Sequence, residues 1–354
     1  VSSSYRVVNW TASKRAYDVA LAAGVALFVL LFVLLGKLAL APERAISDPI
    51  LLLRALGACA FLMLHVTLCI GPLARLDRRF LPLLYNRRHL GIATFTIALL
   101  HALLVALWYH GFGVVQPLES LLNSNVQYGS LRAFPFEALG VIALAILFIM
   151  AATSHDFWLH NLSPRAWKRL HMLVYPAYAM LVMHVALGAV QTEKSAVYPL
   201  LTGLGAAIVA GLHVAAGRRE AARDKPSAMP AETWVDAGCV DEIREGRART
   251  ICLPGEQGER VAVYRHQGKI SVMTNVCVHQ GGPLGEGKIV GGCVTCPWHG
   301  YQYLPHNGQS PPPFTEKVAT HRVKVEGRRI MIDPRPLPAG TPVEPARFEE
   351  VARD

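Results

Sequence analysis

The amino-acid sequence predicts a membrane all-α six-helix bundle followed by a small all-β domain. Six apolar runs occupy residues 1–217, each close to the ~20 residues that a bilayer core requires. Beyond them apolar and polar residues alternate in short segments punctuated by Gly and Pro, the pattern of strands. Charge divides at the same place. The net +10 sits in the first part, while residues 226–354 hold equal numbers of acidic and basic side chains. A basic excess confined to the flanks of apolar runs reads as membrane topology, not nucleic-acid binding.

The predicted spans are Tyr17–Leu40, Ile50–Ile70, His89–Tyr109, Phe134–Thr153, Lys168–Val190 and Val197–Gly217. The uninterrupted run from Val25 to Leu35 and a mean hydropathy of +0.31 argue against a soluble helical core. The first span is too long for the apolar region of a signal peptide and is expected to be retained. Basic residues cluster on one side: Arg6, Lys14 and Arg15; Arg75, Arg78, Arg79, Arg87 and Arg88; Arg165, Lys168 and Arg169; Arg218, Arg219, Arg223 and Lys225. The other side has Lys37, Arg44, Arg54, Arg132 and Lys194. The positive-inside rule places both termini, and the β domain, in the cytoplasm. Seven cysteines with no legible disulfide framework suit that reducing side.

Histidines inside a span are costly and point to function. His89 and His101 lie on the third span, His171 and His184 on the fifth. His89 and His171 sit at the cytoplasmic boundary, and His101 and His184 lie roughly 20 Å deeper at 1.5 Å per residue. Neutral imidazoles at two depths suit axial ligation of b-type haem, two haems in all. His89 and His101 are poorly phased, about 120° apart on a straight helix. His65, on the second span, is therefore an alternative to His89 as the inner ligand. Pro176 lies between His171 and His184 and is expected to kink that helix.

A polar linker, residues 218–230, leads to the β domain at 231–333, and a Pro-rich tail, 334–354, follows. Strands are expected at Thr233–Gly238, Arg249–Leu253, Arg260–Arg265, Lys269–Thr274, Lys288–Val290, Val323–Val325 and Arg329–Ile332. Two motifs stand on its loops, Cys277-Val278-His279 and Cys296-Pro297-Trp298-His299. Two thiolates on one iron and two imidazoles on the other are the ligand set of a Rieske [2Fe-2S] cluster. Mixed Cys and His ligands also suit zinc, but the adjacent glycines let backbone N–H groups approach cluster sulfurs. Trp298, beside a ligand, either packs or shapes a docking surface. His155 and His160 have the spacing of a mononuclear iron pair but lack the carboxylate of a facial triad, so an oxygenase site is not expected.

Two resemblances add to this reading. Arg87-Arg88-His89-Leu90-Gly91 with Phe95 and Leu100-His101, and Trp167-Lys168-Arg169-Leu170-His171 with Tyr175 and His184, resemble the signature helices of the ferric-reductase-like transmembrane family. Ile70-Gly71-Pro72-Leu73 and Thr153-Ser154 resemble its branch of haem-binding membrane subunits of bacterial methionine sulfoxide reductase systems. The similarity spans residues 15–217 and implies haem ligation by His101 with His184, and by His171; it leaves His89 and His65 open. Other members carry a cytosolic flavin and nicotinamide domain, whereas no Gly-rich dinucleotide fingerprint follows a strand here. Residues 231–333, with Gln280-Gly281-Gly282-Pro283-Leu284-Gly285, Gly300-Tyr301-Gln302-Tyr303, Asn307-Gly308 and Pro311-Pro312-Pro313, resemble Rieske ferredoxins and the Rieske domains of ring-hydroxylating dioxygenases. Gly281 and Trp298 stand where the quinol-oxidising Rieske type has two further cysteines, and Tyr301 where it has a serine. That implies fewer hydrogen-bond donors and a potential in the lower part of the Rieske range.

The expected function is electron transfer across the membrane. A cytosolic donor or partner redox subunit reduces the cluster, and the haems pass the electron to a periplasmic oxidoreductase or a metal ion such as Fe(III). The alternatives are a quinol-linked membrane oxidoreductase, for which Glu137 is the carboxylate near a span start, inward flow from a periplasmic dehydrogenase, and a redox-sensing subunit. Membrane lipid is an expected partner and nucleic acid is not.

Overall fold

The computed structural model describes residues 12–39, 46–84, 86–131, 134–155, 158, 162, 164–192, 197–223, 234–254, 258–279, 281–312 and 314–349. Arg6, Arg44, Arg132, Lys194, His160, Gln280, Pro313 and most of the linker lie outside them. The helices are α1 (Ala12–Ala39), α2 (Asp48–Leu76), α3 (Arg87–His110), α4 (Phe136–Ala152), α5 (Pro164–Met172), α6 (Val174–Leu187) and α7 (Val197–Arg223). Short helical turns at Leu81–Leu84, Pro117–Asn123 and Ala189–Thr192 connect them.

Among the described residues five helical stretches are long and apolar enough to cross a membrane. The sixth apolar helix, α4, has 17 residues. Pro135 stands at its N-terminal cap, and Thr153 turns its hydroxyl back onto the Ile149 carbonyl at 2.7 Å at the other end. Leu27, Leu30, Leu34 and Leu38 of α1 are exposed, as lipid-facing side chains must be. Central α2 buries Leu53, Cys59, Met63, Leu64 and Leu68 against α1, α3 and α7.

The predicted kink in the fifth span is a break. Pro176 has no N–H to offer the Met172 carbonyl and crowds it. The helix ends at Met172 and restarts at Val174, with the Leu173 N–H tightened onto the Leu170 carbonyl at 3.1 Å. Helix α7 runs on past Gly217 to Arg223, into the expected linker.

The β domain has strands β1 (Val235–Cys239), β2 (Arg247–Cys252), β3 (Arg260–His266), β4 (Lys269–Thr274), β5 (Lys288–Val290), β6 (Cys293–Thr295), β7 (Gln302–Tyr303), β8 (Thr320–His321), β9 (Val323–Glu326), β10 (Arg329–Ile332) and β11 (Ala346–Arg347). The larger sheet runs β11-β4-β3-β2-β5-β6-β7, with β8 also on β4; β1, β10 and β9 form the smaller one. All pairings are antiparallel, and β3 carries a central register from Val261 opposite Thr274 to His266 opposite Lys269. The β11 strand comes from the Pro-rich tail and pairs Ala346 with Ile270. Val240, Ile243, Val261, Val263, Ile270 and Ile332 fill one core; Tyr264, Met273, Leu284, Val294 and Tyr303 fill a second, directly beneath the Cys-His loops.

Candidate functional site

The loops after β4 and β6 are built alike. In each, a cysteine carbonyl accepts from the N–H of the glycine four residues on, Gly281 at 2.6 Å and Gly300 at 2.9 Å. In each, the cysteine N–H donates to the next carbonyl, Gly282 at 2.8 Å and Tyr301 at 2.7 Å. Both glycines have φ +73°, a conformation that side chains with a Cβ resist. The folding of the two loops brings Cys277 and Cys296 together, both buried, and sets the His279 and His299 rings 5.4 Å apart. A Cβ at Gly282 would press on Cys296 Sγ at 2.7 Å.

The donor set divides into a thiol pair and an imidazole pair. No three Cys, His, Asp or Glu side chains converge on a single-ion point among the described residues. That division fits two irons better than one zinc. Burial and the adjacent Cys277 hold the Cys296 thiol well above its ordinary range, and burial with His279 beside it holds His299 well below its own. Two buried thiols ionise together only beside a cation, so the seat suits a metal cluster. Two tyrosines complete it. Tyr303 Oη lies 3.2 Å from Cys277 Sγ, and the Tyr301 ring stacks on His279 at 4.6 Å and 11°.

In the bundle, His101 of α3 donates Nδ1–H to the Leu53 carbonyl of α2 at 2.7 Å. His184 of α6 donates Nδ1–H to the Phe136 carbonyl of α4 at 2.8 Å. A carbonyl only accepts, so each bond fixes the proton on Nδ1 and leaves the Nε2 lone pair for a metal. Each ring also lies against a glycine four residues past that carbonyl. A Cβ at Gly57 would stand 2.9 Å from the His101 ring, and one at Gly140 the same distance from His184. The sites are matched: carbonyl, one helical turn, glycine. Glu137, beside Phe136, pairs with Asn125 at 2.5 Å.

At the end of the bundle nearest the β domain, a cavity of about 1160 Å³ lies between the helices and the β domain. His171 and Arg87 line its helical side, and Trp298, His299 and Glu286 its β side. His171 donates Nδ1–H to its own helix, at the Trp167 carbonyl, 3.0 Å. Neither His89 nor His65 lines this cavity. His89 turns to α1 and meets Asp18 at 2.7 Å. His65 donates to the Phe61 carbonyl at 2.7 Å, and its buried Nε2 faces α7 so closely that Gly205 has no room for a Cβ. His155 is exposed.

The domains meet through ion pairs and aromatic rings. Arg75 of α2 lies 3.6 Å from Glu286, and Arg260 of β3 lies 2.5 Å from Glu220 of α7. The Trp167 ring stands 6.0 Å from Trp298 and 5.0 Å from His299. Trp298 therefore both packs on the core beneath its loop and faces the helical domain. In the sequence Trp167 and Tyr303 stand inside motifs without a legible role; the aromatic residues near His171 and His299 are the signal for them. The glycine seats at Gly57 and Gly140 carry no local signal, since each serves a histidine on another helix.

Residues 56–182 match the family described as ferric reductase like transmembrane component, and residues 233–322 match the Rieske [2Fe-2S] domain. The ferredoxin component of the naphthalene 1,2-dioxygenase system of Pseudomonas aeruginosa is 32% identical over 103 residues, 29% of this chain and 96% of that protein. The protein-methionine-sulfoxide reductase heme-binding subunit of Brucella ovis is 33% identical over 157 residues, 44% of this chain and 63% of that protein. Among solved structures, the ferredoxin of carbazole 1,9a-dioxygenase from Nocardioides aromaticivorans is similar with 23% identity and a TM-score of 0.27, covering 29% of this chain and 99% of that one.

Proposed function

The chain belongs to the Rieske ferredoxin family through its β domain, which is joined to a ferric-reductase-like, haem-type membrane domain, and from that premise we propose that it carries electrons from a cytosolic donor to an acceptor on the outer face. Cys277 and Cys296 hold one iron of a [2Fe-2S] cluster, His279 and His299 the other. His101 and His184 hold a b-type haem toward the outer face, and His171 holds a second at the inner cavity. When bound, these groups supply one-electron carriers at graded depths. The polypeptide supplies their seats: carbonyl-locked imidazoles, buried thiols and a Tyr303 hydroxyl directed at a cluster sulfur.

One observation carries the reading. His299 and His171 line the same cavity, so the end of the cluster and the start of the intramembrane ladder meet in one place. The acceptor is either a periplasmic oxidoreductase, by analogy with the methionine-sulfoxide relative, or a metal ion such as Fe(III). The basic residues flanking the apolar runs support a cytoplasmic β domain, and a cytosolic donor to it makes the flow outward. The test is a potentiometric titration followed by EPR and optical spectra. A Rieske signal at a lower potential than the haems is expected, and zinc in place of iron–sulfur, or haems lying below the cluster, overturns the proposal. Quinol oxidation is a second reading, because His299 and the carboxylate of Glu286 line one cavity at the bundle end. Quinone analogues that shift the haem spectrum would favour it.

A further inference from the structure

Trp167 occupies a place that neither family role explains. Its ring stacks on His171 at 3.7 Å and 24°, and it also meets His299 edge-on at 5.0 Å and 86°. The side chain is buried, with Nε1–H donating to the Thr153 carbonyl at 3.2 Å. Its own carbonyl accepts from His171 Nδ1, so the residue that touches His171 also fixes that imidazole's proton and orientation. The ring is thus clamped in one pose from α4 and from its own helix, and the β domain is laid against it. Two interdomain ion pairs, Arg75 with Glu286 and Arg260 with Glu220, line the same cavity as the contact.

We propose that Trp167 is a positioning residue that couples the cluster directly to the inner haem through an unbroken contact, His299–Trp167–His171, with the β domain docked during the transfer and no domain swing in it. The proposal rests on the reading of His299 and His171 as ligands. Trp167 serves the passage of one electron, by which a ferrous iron held through His299 becomes ferric and a ferric iron held through His171 becomes ferrous. No bond is made or broken, no proton moves, and the tryptophan itself is neither oxidised nor reduced. A packed aromatic ring does this because it excludes water and keeps both imidazoles in van der Waals contact.

The test uses the full-length protein with cluster and haems loaded. In the unaltered chain, ferric haem is expected to speed the spin relaxation of the reduced cluster's EPR signal; relaxation identical with ferric and ferrous haem overturns the docked contact. Trp167→Leu is expected to slow single-turnover transfer from cluster to haem by about tenfold. Trp167→Phe, which keeps a ring between the imidazoles, should restore most of that rate. Both variants should keep the cluster's potential, and Trp167→Leu should shift the g-values of the haem held by His171. Wild-type transfer in a Trp167→Leu protein with full cofactor content overturns the proposal. Should that variant fail to assemble, the relaxation measurement and the Phe variant decide it, equal relaxation or a rate in Trp167→Phe as low as that of a histidine-ligand variant counting against it. Absence of the cluster, or of any haem that depends on His171, in the unaltered chain instead refutes the ligand reading.

Discussion

The two ends of the helical bundle hold their histidines differently. At the end away from the β domain, the outer end on the proposed reading, His101 and His184 each donate to a carbonyl of a neighbouring helix and sit in that helix's glycine notch. At the inner end His171 donates within its own helix and is covered by Trp167, next to the docked β domain. The outer site is made wholly by helix packing, so its geometry is as fixed as the bundle. The inner site is shared between two domains and depends on their docking. On the proposed reading, a carrier at the far end holds its group securely, whereas one that exchanges electrons with another domain presents its group at a surface.

The sharpest way to break this contrast is to remove the outer ligands. His101→Ala or His184→Ala should abolish one low-spin haem and leave the Rieske EPR signal unchanged; full haem content in either refutes the pairing. Filling the notches should act almost as strongly. Gly140→Leu or Gly57→Leu leaves every histidine in place but puts side-chain atoms where the ring lies, so the outer haem should be lost or its spectrum should change to that of a displaced ligand. An unaltered spectrum would mean that the glycines matter only for packing. By contrast, His65→Ala should keep the full haem content, because its Nε2 is closed off by α7 at Gly205.

How much of this was legible in the sequence follows from the range of each interaction. The six apolar runs and the alternating strands are local patterns, and the architecture was readable from them. The Cys-His loops were equally readable, since each ligand pair lies within one loop. The partners of the histidines were not readable: His89 faces Asp18, seventy-one residues away in sequence, a pairing decided by how α1 packs on α3. The expectation of few donors to the cluster missed Tyr303, because a hydroxyl on β7 reaches Cys277 only once the sheet has formed. The tail strand β11 was hidden for the same reason, as two residues with no apolar pattern pair with β4 only once the chain has returned to the sheet.

Tyr303 offers a smaller effect. A hydroxyl donated to a cluster sulfur favours the reduced cluster, so its loss should lower the potential. One hydrogen bond of about 1 kcal/mol corresponds to about 40 mV for a one-electron couple. Tyr303→Phe should shift the cluster by about that much and leave the haem potentials alone. A haem shift of equal size would mean that the substitution had disturbed docking.

The smallest effect concerns the shared inner end and its pH dependence. Glu286 faces Arg75, Glu220 and Arg260, with Arg87 nearby. Burial raises its carboxyl from the ordinary 4.5 to about 7, outweighing the pull of Arg75 and helped by the negative charge of Glu220. The docked state thus binds a proton more tightly than an exposed carboxylate does. Stability from this group is present at low pH and is lost as pH rises from about 4.5 through about 7. Cluster–haem spin relaxation, which reads docking, should weaken over that window in the unaltered protein. Glu286→Gln cannot take on the charge, so its relaxation should stay level up to pH 8. Equal slopes in the two proteins would show that the docked contact is held by the aromatic rings and by Arg260 with Glu220, and that Glu286 only lines the cavity.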